Sequence, residues 1–496
     1  MLATILAGIA AGSYAIAPAS DRRGPWIGVL GLIEMAIGVA AVVSFAPITR
    51  IDAFSEWLTP IVARVADAWL AYSIAGSLLT ILAPAFLMGI AFPIGLRLWT
   101  GDPADGAEVG RRTGRFYSWN VGGAILGSLA AGFVLLPLAG SRMSLLGLSS
   151  GAVLSGLAQL AVSEWRRPVA AAAAAAGAVA FAIVAVRAPD PFDQFISERY
   201  ANDRLVWKDE GVDATVAVHE TSSRDLILTV NGNHQAGTDA STAYVHRRIG
   251  HLPMALHPNR RTALVIGLGG GATAGAVAAW GPSVDVVELS DSVVRGASWF
   301  ESINYGVLKL PNVRLRHDDG RNYMMLTPKR YDIVTADVIH PIYAGSGNLY
   351  SAEYFRAMRR VMNPGGMAVQ WVAGTDAEYK TIARTFLSVF PETTVWGGGS
   401  LLIGRTEPLR LRRADFDRKA ESAAAQQPLR DLNVLTFDQL LGAFDAGPDE
   451  LRAFVGPGPI LTDDRPLVEY FLSLPRDRDV DTSTLKSDVH RFVEQP

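Results

Sequence analysis

Between Ala263 and Trp280 the chain reads ALVIGLGGGATAGAVAAW. The apolar run at 263–267, closed by glycine, has the pattern of a strand buried on both faces of a parallel sheet. Gly267, Gly269, Gly270 and Gly271 come next, followed by an alanine-rich helical stretch. Glycines between a strand and a helix let the backbone approach a ligand closely and aim the helix N-terminus at it. This stretch therefore predicts a doubly wound α/β layer with its ligand crevice at the carboxyl ends of the strands.

The residues downstream extend that pattern. A second strand is predicted over 284–289 and carries Glu288 near its end, where a nucleoside-binding fold of this kind holds a ribose diol. The strand-like Val313-Arg314-Leu315 leads to His317-Asp318-Asp319-Gly320. A third run, 331–337, ends in Asp337. Asn363-Pro364-Gly365-Gly366 reads as a turn before a strand over 367–372. Acids at three successive strand tips converge on one crevice. The glycine turn has no Lys-Ser or Lys-Thr after it, so no phosphate-cradling lysine is present. Adenosine ligands without phosphates, such as S-adenosylmethionine (SAM), fit better than NAD or ATP.

With 496 residues there is room for two or three domains. The net charge of −3 gives no broad basic surface for nucleic acid. The absence of cysteine excludes disulfides, thiolate metal sites and a cysteine nucleophile. Mean hydropathy is +0.21, and the excess lies in residues 1–187. Apolar runs at roughly 2–19, 26–46, 72–98, 117–139, 143–162 and 168–187 are each near the ~20 residues that cross a bilayer. The expectation is about six spans, with residues 51–70 as an amphipathic segment on the membrane surface. Small residues such as Gly122, Gly123, Gly127, Ala130 and Gly132 permit close helix packing in lipid. Glu34, a charge in the middle of a run, is expected to turn inward and hydrogen-bond to a neighbouring helix, with a transport role as the alternative. The first run has no basic n-region and does not read as a signal peptide.

Arg22-Arg23, Arg111-Arg112-Arg115 and Arg166-Arg167 fall in alternate expected loops, and the positive-inside rule puts those loops in the cytoplasm. That sends the C-terminal half outward, whereas an enzyme of SAM belongs where SAM is made. The ligand argument is preferred, giving a multi-pass protein of the inner (cell) membrane with a cytoplasmic catalytic domain.

From Ala188 the composition becomes soluble. The domain reading is a transmembrane helical domain over 1–187, a small β subdomain with linker helix over 188–258, a Rossmann-like domain over 259–408 and a helical tail over 409–496. Strands are expected over 214–219 and 225–230, a turn at Asn231-Gly232-Asn233, a helix over 241–257, and further strands over 393–396 and 401–404. The tail contains Leu461-Thr462-Asp463-Asp464-Arg465-Pro466-Leu467-Val468-Glu469-Tyr470, whose acids are read as anchors of the tail. Tyr343 and Tyr350 flank the glycine-containing stretch 345–347 and are lid candidates.

The order of β subdomain, Asn231-Gly232-x-x-Gln235, Asp239, Tyr244, VIGLGGG, VELS, HDDG and ADVIHP resembles the spermidine synthase (polyamine aminopropyltransferase) family. The apolar N-terminal half and the closing TDDRPLVEY look like its membrane-fused branch. The resemblance implies a SAM-methyltransferase-type Rossmann-like domain preceded by the small β subdomain. It implies that Gln235 contacts the nucleoside and that Gly267, Gly269 and Gly271 pass under the methionine-derived portion. Glu288 would hold the ribose hydroxyls, and Asp319, with Asp318 beside it, the adenine amine. Asp337 would be the catalytic carboxylate, and Tyr244, His246, His340 and Gln370 would line the acceptor side.

Departures from the family pattern matter as much. Its Gly-Gly-Gly-Asp-Gly-Gly turn has Gly270 here in place of the acid. Its Asp-Ser-Ser-Asp-Pro becomes Asp337-Val338-Ile339-His340-Pro341. The acid after its tyrosine is replaced near His246 or Arg247. A diamine needs carboxylates to offset the desolvation of two ammonium groups, so the donor half of the site is complete and the diamine half is depleted.

The expected function is aminopropyl transfer from decarboxylated SAM or SAM with release of methylthioadenosine. The alternatives are cleavage or cyclisation of either donor without an external polyamine, SAM-dependent methyl transfer, and a non-catalytic sensor or transport partner. No tightly bound cofactor and no metal site are expected. The expected partners are the nucleoside donor, an amine acceptor, membrane lipid and a second copy of the chain as a homodimer, with no nucleic acid.

Overall fold

The computed structural model describes the chain except for residues 21, 45, 47–50, 65–68, 102–105, 338–344, 471–473, 476, 477, 495 and 496. Two compact units are present, Met1–Asn202 and Asp203–Pro496. The segment 188–202, expected with the β subdomain, belongs to the first.

The first unit is helical: α1 (Leu2–Ser20), α2 (Trp26–Val43), α3 (Ile51–Val62), α4 (Trp69–Thr100), α5 (Gly106–Ala130), α6 (Leu136–Ala161), α7 (Arg167–Arg187) and α8 (Pro191–Arg199). Glycines set how closely these helices approach. A Cβ at Gly12 would lie 2.0 Å from the Phe86 carbonyl oxygen, and one at Gly156 would lie 2.4 Å from that of Gly31. Backbone-to-backbone contact of this kind is how apolar helices associate where burial of surface gives no driving force.

Among the described residues, five helical stretches are long and apolar enough to cross a membrane, where about six were expected. The difference lies at the fourth. The apolar runs expected at 117–139 and 143–162 fall together in the one stretch of α5, a π-helical turn at Ala131–Leu135 and α6, with only Gly140-Ser141-Arg142 between them. Gly140 (φ 72°, ψ 172°) breaks it where the sequence suggested a boundary. α3 falls in the expected amphipathic segment and packs Leu58 and Val62 against Ala71 and Ala75 of α4. Glu34 is half-buried and meets no hydrogen-bond partner among the described residues, so its expected bond to a neighbouring helix is not seen there.

The second unit opens with an antiparallel sheet of β1 (Arg204–Glu210), β2 (Thr215–Glu220), β3 (Leu226–Val230) and β4 (Asn233–Gly237), in that order. Only β2 and β3 were apolar enough to read from sequence. The β3–β4 hairpin turns through Asn231 and Gly232 at φ 51° and 75°, the left-handed pair a two-residue turn demands. Next comes α9 (Ala240–Leu256), capped by Asp239, whose side chain accepts from Thr242 N at 3.0 Å.

The main sheet follows: β5 (Thr262–Ile266), α10 (Ala272–Ala278), β6 (Ser283–Glu288), α11 (Asp291–Ala297), α12 (Glu301–Asn304), β7 (Val313–His317), α13 (Gly320–Leu326), β8 (Tyr331–Ala336), α14 (Ala352–Arg360), β9 (Met362–Trp371), α15 (Asp376–Val389), β10 (Thr394–Trp396), β11 (Leu401–Gly404) and β12 (Phe444–Ala446). Its order is β12-β10-β11-β9-β8-β5-β6-β7. β9, β8, β5, β6 and β7 run parallel, and β11 is antiparallel to β9. This is a Rossmann-like fold with its strand order reversing beside β5, between β8 and β6.

The period of two along the strands divides the core. Val265, Val286, Ile333 and Val369 face the layer of α9 and α10. Leu264, Val287, Val334 and Ala368 face α14 and α15. Two sequence expectations change. The turn expected at 363–366 lies inside β9, where Gly365 at φ 74° and a register shift against β8 mark a bulge. The tail expected to be helical also supplies β12, an edge strand of the main sheet.

Candidate active site

Three glycines of the turn after β5, Gly267, Gly269 and Gly271, have φ of 84°, 53° and 84°. Only glycine takes that conformation without strain. Space around them is uneven. A Cβ at Gly271 would crowd Asn304 and Val307 at 3.0 Å, whereas one at Gly269 would meet nothing within 4 Å. The turn is packed from beneath and open above Gly269. Asn304, buried in α12, holds it by donating from Nδ2 to the Gly270 carbonyl at 3.0 Å. No sequence pattern pointed to Asn304.

Glu288 ends β6 beside this turn. Its Oε2 accepts from Leu268 N at 2.8 Å and its Oε1 from Ser290 N at 2.9 Å. Burial pushes its carboxyl up, and backbone N–H groups, those of Ser290 and Leu268 foremost, pull against that. The residue thus holds the backbone of two loops as well as standing at the expected ribose position. After β7, Asp319 caps α13 by accepting from Asn322 N at 2.7 Å, and Asp318 accepts from Asn322 Nδ2 at 3.2 Å. A Cβ at Gly320 would lie 2.4 Å from Ile266 Cγ2, so the HDDG turn packs directly on the end of β5.

Asp337 follows β8, its N–H donating to the Ile266 carbonyl at 3.0 Å. Its Oδ2 lies 2.9 Å from His246 Nδ1 of α9 and accepts from Thr273 Oγ1 of α10 at 2.7 Å. Thr273 Oγ1 also lies 2.8 Å from the His246 carbonyl. Two glycine contacts hold α10 close to its neighbours. A Cβ at Gly250 of α9 would lie 2.5 Å from the Thr273 carbonyl, and one at Gly275 of α10 would lie 2.0 Å from that of Asn304. Burial would raise the Asp337 carboxyl, yet the charge and hydrogen bond of His246, with the Thr273 bond, hold it below the usual carboxylate value. Burial would lower His246, yet Asp337, by charge and hydrogen bond, and Asp239 hold it above the usual imidazole value. Thr273, the one polar side chain of α10, was not singled out from sequence; its isolation among alanines was the available signal.

Gln370 is buried on β9 opposite Ala336, the residue before Asp337. Its Nε2 donates to the Trp371 carbonyl at 3.0 Å and its Oε1 has no partner among the described residues. Gln235 lies half-buried on β4. Tyr244 lines a cleft of about 460 Å³ with Thr238, Arg247, Ile303, Asp431 and Asn433, and the Arg248 guanidinium lies 5.5 Å from its ring centroid. None of those other cleft residues is a nucleoside position. Arg247 donates to the carbonyls of Ile303 and Ser302 at 3.0 and 3.2 Å. His340 and Tyr343 lie outside the described residues, and no metal-holding cluster of three or more His, Cys, Asp or Glu occurs among the described ones.

The closing motif is tied to α13 and to the residues before α14. Asp463 Oδ1 accepts from Arg321 Nη1 of α13 at 2.8 Å and from Ser351 Oγ at 2.7 Å. Glu469 accepts from Gly345 N at 2.9 Å and Gly347 N at 3.2 Å.

Residues 242–386 match the spermine/spermidine synthase domain. This chain carries a spermine/spermidine synthase domain. The matched residues take in all but the first two of α9, the glycine turn, Glu288, Asp337 and Gln370. The chain is 27% identical over 310 residues to polyamine aminopropyltransferase 2 of Pseudomonas aeruginosa, covering 58% of this chain and 85% of that protein. It is 31% identical over 191 residues to the polyamine aminopropyltransferase of Aeropyrum pernix, covering 37% of this chain and 60% of that one. Among solved structures, spermidine synthase from Thermotoga maritima aligns at a TM-score of 0.43 and 18% identity, covering 51% of this chain and 88% of that one. The matched domain and the curated relatives support a transferase.

Proposed function

We propose that this transferase moves an aminopropyl group from decarboxylated SAM to an amine and releases methylthioadenosine, as an enzyme anchored in the membrane. One observation carries the reading: Asp337, with His246 and Thr273 on its carboxylate, stands at the switch point of the sheet between the glycine turn and Gln370. Ligands of open α/β sheets bind there. In the reaction the amine nitrogen forms a bond to the methylene carbon next to the sulfonium. The carbon–sulfur pair returns to sulfur, leaving a neutral thioether, and the amine gives up a proton. The leaving group needs no activation, so the protein's task is to place the amine and organise removal of its proton around Asp337. The unpartnered Gln370 Oε1 is an acceptor for an amine N–H.

A second reading, cleavage of SAM or its decarboxylated form without a polyamine, has its own support. A Cβ at Gly270 would lie 2.8 Å from Ala236 Cβ and 3.4 Å from the Phe300 ring, so the place of the family's acid is filled by side chains. Arg247, near the place of another acid, is engaged with the carbonyls of Ser302 and Ile303. With the acids missing, free putrescine is a poor acceptor.

Membrane anchoring is supported by the five long apolar helices of the first unit, and a cytoplasmic synthase domain by the site where the donor is made. The test is mass spectrometry of products from the purified full-length protein with SAM or decarboxylated SAM, with and without putrescine. Methylthioadenosine with little spermidine is expected. Adenosylhomocysteine as the product would refute the aminopropyl reading, and efficient spermidine formation would refute the acid-poor acceptor side.

A further inference from the structure

The Asp337 carboxylate is not free to act alone. Its Oδ2 is shared by the imidazole of His246 and the hydroxyl of Thr273. An ionised carboxylate only accepts hydrogen bonds. The hydrogen of the His246–Asp337 contact therefore sits on Nδ1, and in the neutral imidazole the lone pair is left on Nε2. Nε2 has no hydrogen-bond partner among the described residues, and the His246 side chain keeps 18% of its surface exposed. A carboxylate fixing one ring nitrogen so that the other can take a proton is the working arrangement of a histidine base.

We propose that His246 Nε2 is the atom that takes the acceptor's proton, with Asp337 as the positioning residue that fixes its tautomer and balances the imidazolium. The assignment rests on the aminopropyl reading given above. In the step, the amine lone pair forms the carbon–nitrogen bond and the carbon–sulfur pair goes to sulfur. The proton lost by nitrogen moves to Nε2 and then to water. The chemistry favours the ring over the carboxylate. An alkylammonium has a pKa near ~10, and proton transfer is more efficient the closer the base comes to it. His246 is held above the usual imidazole value and Asp337 below the usual carboxylate value, so the ring is the better match. Among the described residues, the charged and titratable groups around the ring are Asp337 after β8, Asp239 at the cap of α9 and His234 on β4. The two acids support the imidazolium. His234, exposed as a residue on β4, is held low by desolvation of its ring first and by His246 second.

His246→Asn separates the roles, because its amide can still donate to Asp337 while nothing replaces Nε2. The measurement is kcat for methylthioadenosine release by the full-length protein across pH, with calorimetry of methylthioadenosine binding beside it. The wild type is expected to gain activity as pH rises through the raised His246 value. His246→Asn is expected to lose ~10²-fold in kcat and the rising limb with it, while methylthioadenosine binding stays within about 3-fold, or ~0.7 kcal/mol. Asp337→Asn is expected to move the limb to lower pH, since the imidazolium loses its counter-charge. Where His246→Asn fails to fold, His246→Gln takes its place in the same assay. A His246 variant that keeps the limb and most of kcat overturns the assignment alone. Absence of methylthioadenosine from the wild type with either donor overturns the aminopropyl reading and the assignment with it.

Discussion

Glu288 and Leu268 stand 20 residues apart in sequence, and the carboxylate Oε2 of the first accepts the backbone N–H of the second at 2.8 Å. The residue expected to hold a ribose also holds the glycine turn on which the ligand would lie. Removing it therefore has two consequences that separate experimentally. Glu288→Ala is expected to lower thermal stability, because each charge-assisted bond it makes to a backbone N–H is worth ~1.5–3 kcal/mol. It is also expected to weaken methylthioadenosine binding by at least ~10-fold, or ~1.4 kcal/mol. Calorimetry and thermal denaturation read the two effects. Unchanged binding would remove Glu288 from the site.

Gly270 takes an ordinary negative φ, so backbone conformation does not bar a side chain there. Packing does, through Ala236 at 2.8 Å. Gly270→Ala is expected to cost about 1–3 kcal/mol by overpacking, and the double variant Ala236→Gly/Gly270→Ala to recover most of that. Gly270→Asp in the Ala236→Gly background restores the family's acid and should raise spermidine formation from putrescine. Chemical denaturation tests the first pair of expectations and product analysis the third. Equal stability of the single and double variants would show that the contact does not matter.

The His246–Asp337 pair makes stability depend on pH in a defined window. Asp337 is held below its ordinary value of 3.8, so its contribution is present above that pH and lost as pH falls through the lower native value. His246 is held above its ordinary 6.5, so its contribution is present below that pH and lost as pH rises through the higher native value. Both contributions coexist between 3.8 and 6.5. The melting temperature of the wild type should exceed that of His246→Leu by most in that window and by less on either side. A difference that does not vary with pH would show that the pair's charges contribute nothing to folding.

The expected membrane orientation is tested by reporters fused after Arg187, the end of α7. A cytoplasmic synthase domain predicts activity only from the reporter that works inside the cell. Activity only from the reporter that works outside would show that the arginine bias of the loops decides the topology and that the donor argument does not.

Much of this protein is legible in its sequence. Strand–glycine–helix punctuation, acids at successive strand tips and the run of apolar segments are local patterns, and local backbone physics reads them directly. Gly267, Gly269 and Gly271 do take the left-handed conformation that a tight strand-to-helix turn requires. Weakly apolar strands such as β1 and β4 escaped, because their pairing comes from neighbours in the sheet and not from their own composition. The tertiary structure alone decided which side chains meet. His246 of α9 reaches Asp337 after β8 across 91 residues, and Gly250 lets the same helix lie against α10, which carries Thr273, with no room for a Cβ. Tyr244, two positions before His246 on the same helix, lines a different cleft, since a step of two turns a helical side chain away from its neighbour's face. Sequence specified the turn and the acids through spacing and residue type. The partnership of those acids depended on how closely two helices pack, which no local pattern encodes.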